Sequence, residues 1–208
     1  FCPKKLKKAR YQLVNLLAGI PSVVYGFFGM RVLLPFLGIF ASNGSGAGLA
    51  AVSLILGIMI LPTVVSVSAT GIEAVPKSYY EGARALGATH SEAVFNVVVP
   101  AAKSSVAASV ILGAGRAIGE TMAVIMVAGN NTVFPSGLFS SFRTLTANVV
   151  LEMGYAGELQ MGALIGTGCV LFVFILIINS LLGLISGKTG SRGGKLNFPH
   201  SDKVKKYM

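Results

Sequence analysis

The chain has 208 residues, of which 53% are hydrophobic and 12% are charged, and it carries a formal net charge of +10. A soluble domain carries about 25% charged residues. Half that share, with a mean hydropathy of +0.75, argues against a soluble globular enzyme and for an integral membrane protein. The basic residues do not indicate nucleic acid. Lys4, Lys5, Lys7, Lys8 and Arg10 precede the first apolar run, and Lys188, Arg192, Lys195, Lys203, Lys205 and Lys206 follow the last. That flanking pattern sets membrane orientation, and no folded basic domain is left to bind nucleic acid.

In chain order, four stretches are long and apolar enough to cross a bilayer core of about 30 Å. The first is residues 11–37, interrupted by Pro21, Arg31 and Pro35. A small uncharged loop, 38–48, leads to the second at 49–71, which contains Pro62. Residues 72–103 are polar, with helical spacing of their apolar positions. The third span, 104–128, holds Arg116 and Glu120. A mixed segment, 129–159, leads to the fourth span at 160–185, and a basic tail follows from residue 187. With the N-terminal end inside, the cytoplasmic parts 1–10, 72–103 and 186–208 hold fourteen Lys and Arg, against Arg143 alone in the two external parts. That asymmetry puts both ends of the chain in the cytoplasm. Residue 1 is Phe and no signal peptide is visible, so the expectation is a chain that begins inside a longer protein. Cys2 and Cys169 have no metal-ligand spacing.

The segment 72–103 reads as two short helices. Ser78 stands three residues before Glu81, and Thr89 three before Glu92, each at capping-box spacing. Gly87 lies between them, where a helix C-terminus favours a left-handed residue, and Pro100 is expected to end the second helix. Such a unit is either a solvated linker or a knob suited to a groove. Its residues Glu81-Gly82-Ala83, then Gly87 and Val97-Val98-Val99-Pro100 resemble the cytoplasmic loop of ABC-importer permeases, whose pattern is Glu-Ala-Ala, three residues, Gly, nine residues, Ile-x-Leu-Pro. The spacing agrees throughout. The departures are Gly82 for Ala, Val97 for Ile and Val99 for Leu. In that family the loop is the coupling helix seated in the ATPase subunit. The resemblance therefore implies that Glu81, Gly82, Ala83, Gly87 and Pro100 belong to an ATPase contact. No phosphate-binding loop of the form GxxxxGK[ST] occurs. ATP and Mg are expected on a partner chain, with no cofactor on this one, which is not itself an enzyme.

In the third span Arg116 and Glu120 are four apart, which places them on one face of a continuous helix. Each charge costs about 2.5–3.5 kcal/mol at the bilayer centre on insertion scales. The pair is either a fixed structural bridge or part of an anion route. The guanidinium fork suits an oxyanion. Glu120 would hold Arg116 in place when no substrate is bound, or accept a hydrogen bond from a protonated phosphate oxygen. The run Arg116-Ala117-Ile118-Gly119-Glu120-Thr121-Met122-Ala123-Val124 resembles the PstC-type permease subunit of phosphate importers. So do Leu17–Gly26 and Arg143-Thr144-Leu145-Thr146. Sulfate and molybdate permeases carry a similar Arg-x-x-Gly-Glu stretch followed by Phe-Gly, and remain the alternative within the class. An ATP-independent channel or secondary transporter is the alternative outside it.

The expected architecture is an all-α integral membrane domain of the ABC importer (type I) permease kind, with four spans and two short coupling helices. The resemblance implies six crossings in the complete protein, two of them upstream, in a bacterial inner membrane. It implies as partners a second permease (PstA-like), two ATPase subunits (PstB-like), an external phosphate-binding protein (PstS-like) and lipid. Arg31, near the outer end of the first span, either lines a vestibule or snorkels. Arg143, Glu152 and Glu158 either meet a delivering protein or form a solvated loop face. His90, at the coupling turn, reads as a surface residue.

Overall fold

The computed structural model describes residues 4–41 and 44–191. Cys2, and the tail from Arg192 onward with His200, lie outside the described residues. Helix α1 spans Lys4–Gly19. Helix α2 (Ser22–Phe28) runs through a π-turn segment (Gly29–Leu33) into α3 (Leu34–Gly38). Helix α4 is Leu49–Glu73 and α5 is Lys77–Ala85. Helix α6 (His90–Ala93) continues through a second π segment (Val94–Val98) into α7 (Val99–Ala101). Helices α8 (Lys103–Ile118), α9 (Met122–Val127), α10 (Leu145–Met153) and α11 (Glu158–Ser191) complete the order. Apart from an isolated bridge between Gly129 and Phe142, regular structure among the described residues is helical.

Two helices, Leu49–Glu73 and Glu158–Leu184, are long and apolar enough to cross a membrane, and the number rises to four if each of two bent pairs is one span. Pro62 does not end α4, and its ring is buried. Membrane helices tolerate an internal proline where neighbours satisfy the freed backbone groups.

The stretch read as a first straight span is broken. Tyr11–Gly19 meets Ser22–Gly38 at 92°. Pro21 has no N–H to continue α1, and its ring disfavours helical backbone at Ile20. Buried Tyr25 fixes the corner, because its hydroxyl donates to the Leu17 carbonyl at 2.7 Å and so satisfies an end carbonyl of α1. The stretch 104–128 is also broken, for α8 stops at Ile118 and α9 starts at Met122.

Pro100 does not end the second helix of the segment 72–103. The helix runs from His90 to Ala101, and the next begins at Lys103 after a 61° bend. Both π segments end two residues before a proline, Pro35 in one case and Pro100 in the other. A proline ring crowds the carbonyl four residues earlier, here Arg31 or Asn96. Widening the turn there relieves the clash without breaking the rod.

The buried core lies where α2, α4 and α9 meet, around Tyr25, Ile55, Met59, Val124 and Val127. Close approach is built into it. A Cβ on Gly29 would fall 2.7 Å from Val127 Cγ1 and 3.0 Å from Ile55 Cδ1. Helices α4 and α8 are joined separately by a 2.7 Å hydrogen bond between the Ser68 and Ser109 hydroxyls. Ser109 is fully buried and also donates to the Val106 carbonyl at 2.7 Å. Small polar residues of this kind serve as contacts between membrane helices.

Candidate functional site

The segment 72–103 folds as a helical hairpin. Helix α5 begins directly after Pro76, with no side-chain cap, so Ser78 lies inside the helix and does not form the expected capping box with Glu81. Pro76 takes the N-cap position in its place, with φ −56° and ψ 135°. The helix ends at Gly87, whose φ is +90°. The Gly87 N–H donates to the Arg84 carbonyl and the Ala88 N–H to the Ala83 carbonyl, both at 3.1 Å. This is a Schellman closure. Arg84 Nη1 adds a 2.6 Å bond to the Ala88 carbonyl.

The second half starts with the expected capping box. The Thr89 hydroxyl accepts from the Glu92 N–H at 3.3 Å, and Glu92 Oε2 accepts from the Thr89 N–H at 2.7 Å and its hydroxyl at 2.8 Å. The Thr89 N–H, and after it the Thr89 hydroxyl, hold the Glu92 carboxyl below its ordinary value of 4.5. Across the turn, the Tyr80 hydroxyl and His90 Nδ1 are 2.9 Å apart, with their rings edge to face. Ala93 is fully buried beneath the hairpin. Glu81, Gly82 and Gly87 are exposed, Ala83 is half-buried and Leu86 is 91% exposed. A Cβ on Gly82 would meet nothing within 4 Å, so the space beside this residue is open. Pro100 is exposed, one residue before the buried elbow at Ala102.

Arg116 lies in the last turn of α8 and is exposed. Glu120 is not on the same continuous helix, because it falls in the break between α8 and α9. There its Oε1 accepts from the Ala123 N–H at 3.2 Å, serving an otherwise orphan donor of α9. Thr146 of α10 donates weakly to the Glu120 carbonyl, at 3.5 Å. Two glycines flank this region. Gly119 opens the break, and Gly115 lets Asn179 of α11 come so close that a Cβ there would be 3.0 Å from its Oδ1.

The segment 129–159 is held by more contacts than a solvated loop. Arg143 donates through Nε to the Asn130 carbonyl (3.1 Å) and through Nη1 to Asn148 Oδ1 (3.2 Å) and Glu152 Oε1 (2.6 Å). Arg143 and Glu152 form an ion pair with side chains 20% and 35% exposed. Asn130, at φ +56°, donates to the Ile125 carbonyl at 2.8 Å. The segment 129–143 is thereby tied to the end of α9. Glu158 stands exposed in the first turn of α11, where a carboxylate suits the helix dipole. The Arg31 guanidinium lies 5.9 Å from the Phe27 ring centroid. Among the described residues, no group of three or more His, Cys, Asp or Glu is placed to hold a metal ion.

Sequence reasoning missed the Tyr80–His90 tie and both π segments. The ten-residue separation of Tyr80 and His90 has meaning only once Gly87 reverses the chain. The positions of Pro35 and Pro100 carried a usable signal for the π segments.

The profile of the family described as binding-protein-dependent transport system inner membrane component matches residues 3–190. The chain is 45% identical over 181 residues to a probable ABC transporter permease protein, YqgH, of Bacillus subtilis (strain 168), a match covering 84% of this chain and 59% of that protein. It is 34% identical over 213 residues to the phosphate transport system permease protein PstC of Mesorhizobium japonicum, covering 93% of this chain and 65% of that one. To the protein of the same description from Haemophilus influenzae it is 35% identical, with 93% and 67% covered. The chain spans about three fifths of the length of the first relative and about two thirds of the others. No solved structure matches.

Proposed function

The chain belongs to the family of inner-membrane components of binding-protein-dependent transport systems, and from that premise we propose that it is the membrane-spanning permease of an ATP-driven phosphate importer. It is an integral inner-membrane protein. Its hairpin, residues 77–101, is the contact for a separate ATPase subunit, and both ends of the chain face the cytoplasm. Arg116 lines the anion route. The working unit pairs this chain with a second permease, two ATPase subunits and an external phosphate-binding protein.

The observation that carries the reading is the hairpin. Its two halves are held by the Gly87 closure, the Thr89–Glu92 capping box and the Tyr80–His90 contact. It exposes Glu81, Gly82 and Leu86 together, and the space beside Gly82 is open. A preformed knob with a bare glycine and an exposed leucine suits close docking better than solvation. Phosphate as substrate is favoured by the PstC relatives and by the fit of an arginine fork to an oxyanion. In the route, Glu120 acts as the cap of α9, positioned one break beyond Arg116.

The test is radiolabelled phosphate uptake by the full-length transporter carrying Arg116→Ala, with ATP hydrolysis followed in parallel. Lost uptake with intact assembly and hydrolysis is expected. Unchanged uptake would remove Arg116 from the route, and uptake of sulfate in place of phosphate would overturn the substrate.

A further inference from the structure

We infer that α1 is an interfacial helix that binds the anionic lipid surface of the cytoplasmic leaflet, with its leucine face at the acyl boundary and its basic half among the headgroups. The choice of leaflet rests on the orientation proposed above. The interfacial placement rests on the 92° corner between Tyr11–Gly19 and Ser22–Gly38. If Ser22–Gly38 crosses the bilayer, a helix at right angles to it lies along the membrane plane. The Tyr25–Leu17 bond and Pro21 hold that corner.

The roll of α1 is also fixed. Tyr11 and Val14 line a cleft against Val65, Ala69 and Ile72 of α4, and the Tyr11 hydroxyl donates to Glu73 Oε1 at 3.0 Å. Leu13 and Leu16 are 61% and 68% exposed, and Leu17 is 40% exposed. By helical register Leu13, Leu16 and Leu17 lie on one stripe of α1, while Gln12 and Asn15 lie on another. The helix therefore has a face for α4, an apolar face and a polar face.

Charge selects lipid as the occupant. The segment Lys4–Arg10 holds five basic residues, and α1 holds no acidic residue. A basic, amphipathic helix in the membrane plane has the composition that binds an anionic headgroup surface. The Tyr11–Glu73 bond puts α1 at the same end of α4 as the coupling hairpin, which is the anionic side of the membrane in the proposed orientation.

The experiment uses the full-length transporter complex, with other cysteines removed, in phosphatidylcholine vesicles with and without phosphatidylglycerol. Spin labels are placed at Leu13→Cys, Leu16→Cys, Gln12→Cys and Asn15→Cys, and their accessibility to oxygen and to a water-soluble nickel chelate is measured. Labels at 13 and 16 are expected to favour oxygen, and those at 12 and 15 the chelate. Phosphatidylglycerol should deepen the first pair. Replacing Lys4, Lys5, Lys7 and Lys8 with Gln should abolish that deepening. Labels at 13 and 16 shielded from both reagents would mean that protein covers the face, and chelate access at all four positions would mean that the helix is in water. Either result overturns the inference, as does a phosphatidylglycerol effect that survives in the Gln variant. Reaction of Asn15→Cys with an impermeant thiol reagent from the outer face would overturn the leaflet. None of these readouts uses phosphate uptake, so failure of the substrate reading leaves them intact.

Discussion

Gly87→Ala is the sharpest perturbation available at the hairpin. Nothing lies within 4 Å of a Cβ placed at residue 87, so the substitution removes no contact and creates no clash with a neighbour. What it adds is backbone cost. A φ of +90° is open to glycine, while an L-residue in left-handed backbone costs roughly 1–2 kcal/mol. The two closing bonds, Gly87 N–H to Arg84 O and Ala88 N–H to Ala83 O, exist only with that φ. Relaxing the strain therefore breaks both and swings α6 away from α5. A loss of 1–2 kcal/mol corresponds to about a 5–30-fold rise in the open fraction of the hairpin. Hydrogen exchange on the full-length transporter should report that factor at the Ala88 amide, whose bond to Ala83 is lost, while the Glu92 amide, held locally by Thr89, should change little. Phosphate-coupled ATP hydrolysis should fall with it, while the chain still assembles. Gly87→Asn is the control, because Asn tolerates left-handed backbone and should recover most of both signals. A wild-type exchange rate at Ala88 in Gly87→Ala would refute the reasoning.

Four further outcomes are expected. Thr89→Ala removes the capping box and should cost the hairpin about 1 kcal/mol, read as faster exchange at Glu92 and Ala93. Because the Glu92 carboxyl is held below 4.5, its contribution is present above that pH and is lost as pH falls through 4.5 toward the folded value; protection of the wild-type hairpin, taken relative to the intrinsic exchange rate at each pH, should fall there, and in Thr89→Ala much less. Gly29→Ala overpacks the core against Val127 and Ile55 and should cost about 1–3 kcal/mol in thermal stability, whereas Gly57→Ala, inside α4 with nothing within 4 Å, should cost nothing and gain up to about 0.5–1 kcal/mol of helix propensity. Arg143→Ala should cost about 1–3 kcal/mol and speed proteolysis within 129–143. Arg143→Lys should rescue it poorly, since an ammonium cannot span the Asn130, Asn148 and Glu152 acceptors.

Class and outline were legible because hydropathy and charge asymmetry act over whole segments. The turn at Gly87 and the Thr89–Glu92 box were legible because they are local, set by residues three or four apart. The broken helices were not. Pro21 was visible, but whether a proline kinks a helix, as Pro62 is accommodated in α4, or turns a right-angled corner depends on a distant partner for the freed carbonyl. At Leu17 that partner is Tyr25. Arg116 and Glu120 were misread in the same way. Four-residue spacing puts them on one face only if the helix is continuous, and Gly119 with the Glu120 cap ends it. The Ser78–Glu81 spacing also misled, because Pro76 started the helix two residues earlier than the box requires.

The break beyond Arg116 changes what that residue and Glu120 can do together. On the proposed reading, force enters at the hairpin and reaches α8 through the buried elbow at Ala102. Arg116 lies about 20 Å along α8 from Lys103 at 1.5 Å per residue, so a rotation of about 5° at the elbow moves it on the order of 2 Å. Helix α8 does not move alone, because the Ser68–Ser109 bond and the close fit of Gly113 to Val64 couple it to α4. Glu120, by contrast, is bonded forward to Ala123, and Ala123 belongs to the core around Tyr25 and Val124. The two charges therefore sit on opposite sides of the break between α8 and α9. A bridge between them in one state need not exist in the next, which is the arrangement a route needs if an arginine is to hold an anion and then release it. Spin labels at Ala117 and at Met122, which is exposed on α9, in the assembled transporter would report the change in separation on ATP binding. A constant distance would make the break rigid and return the pair to a structural role.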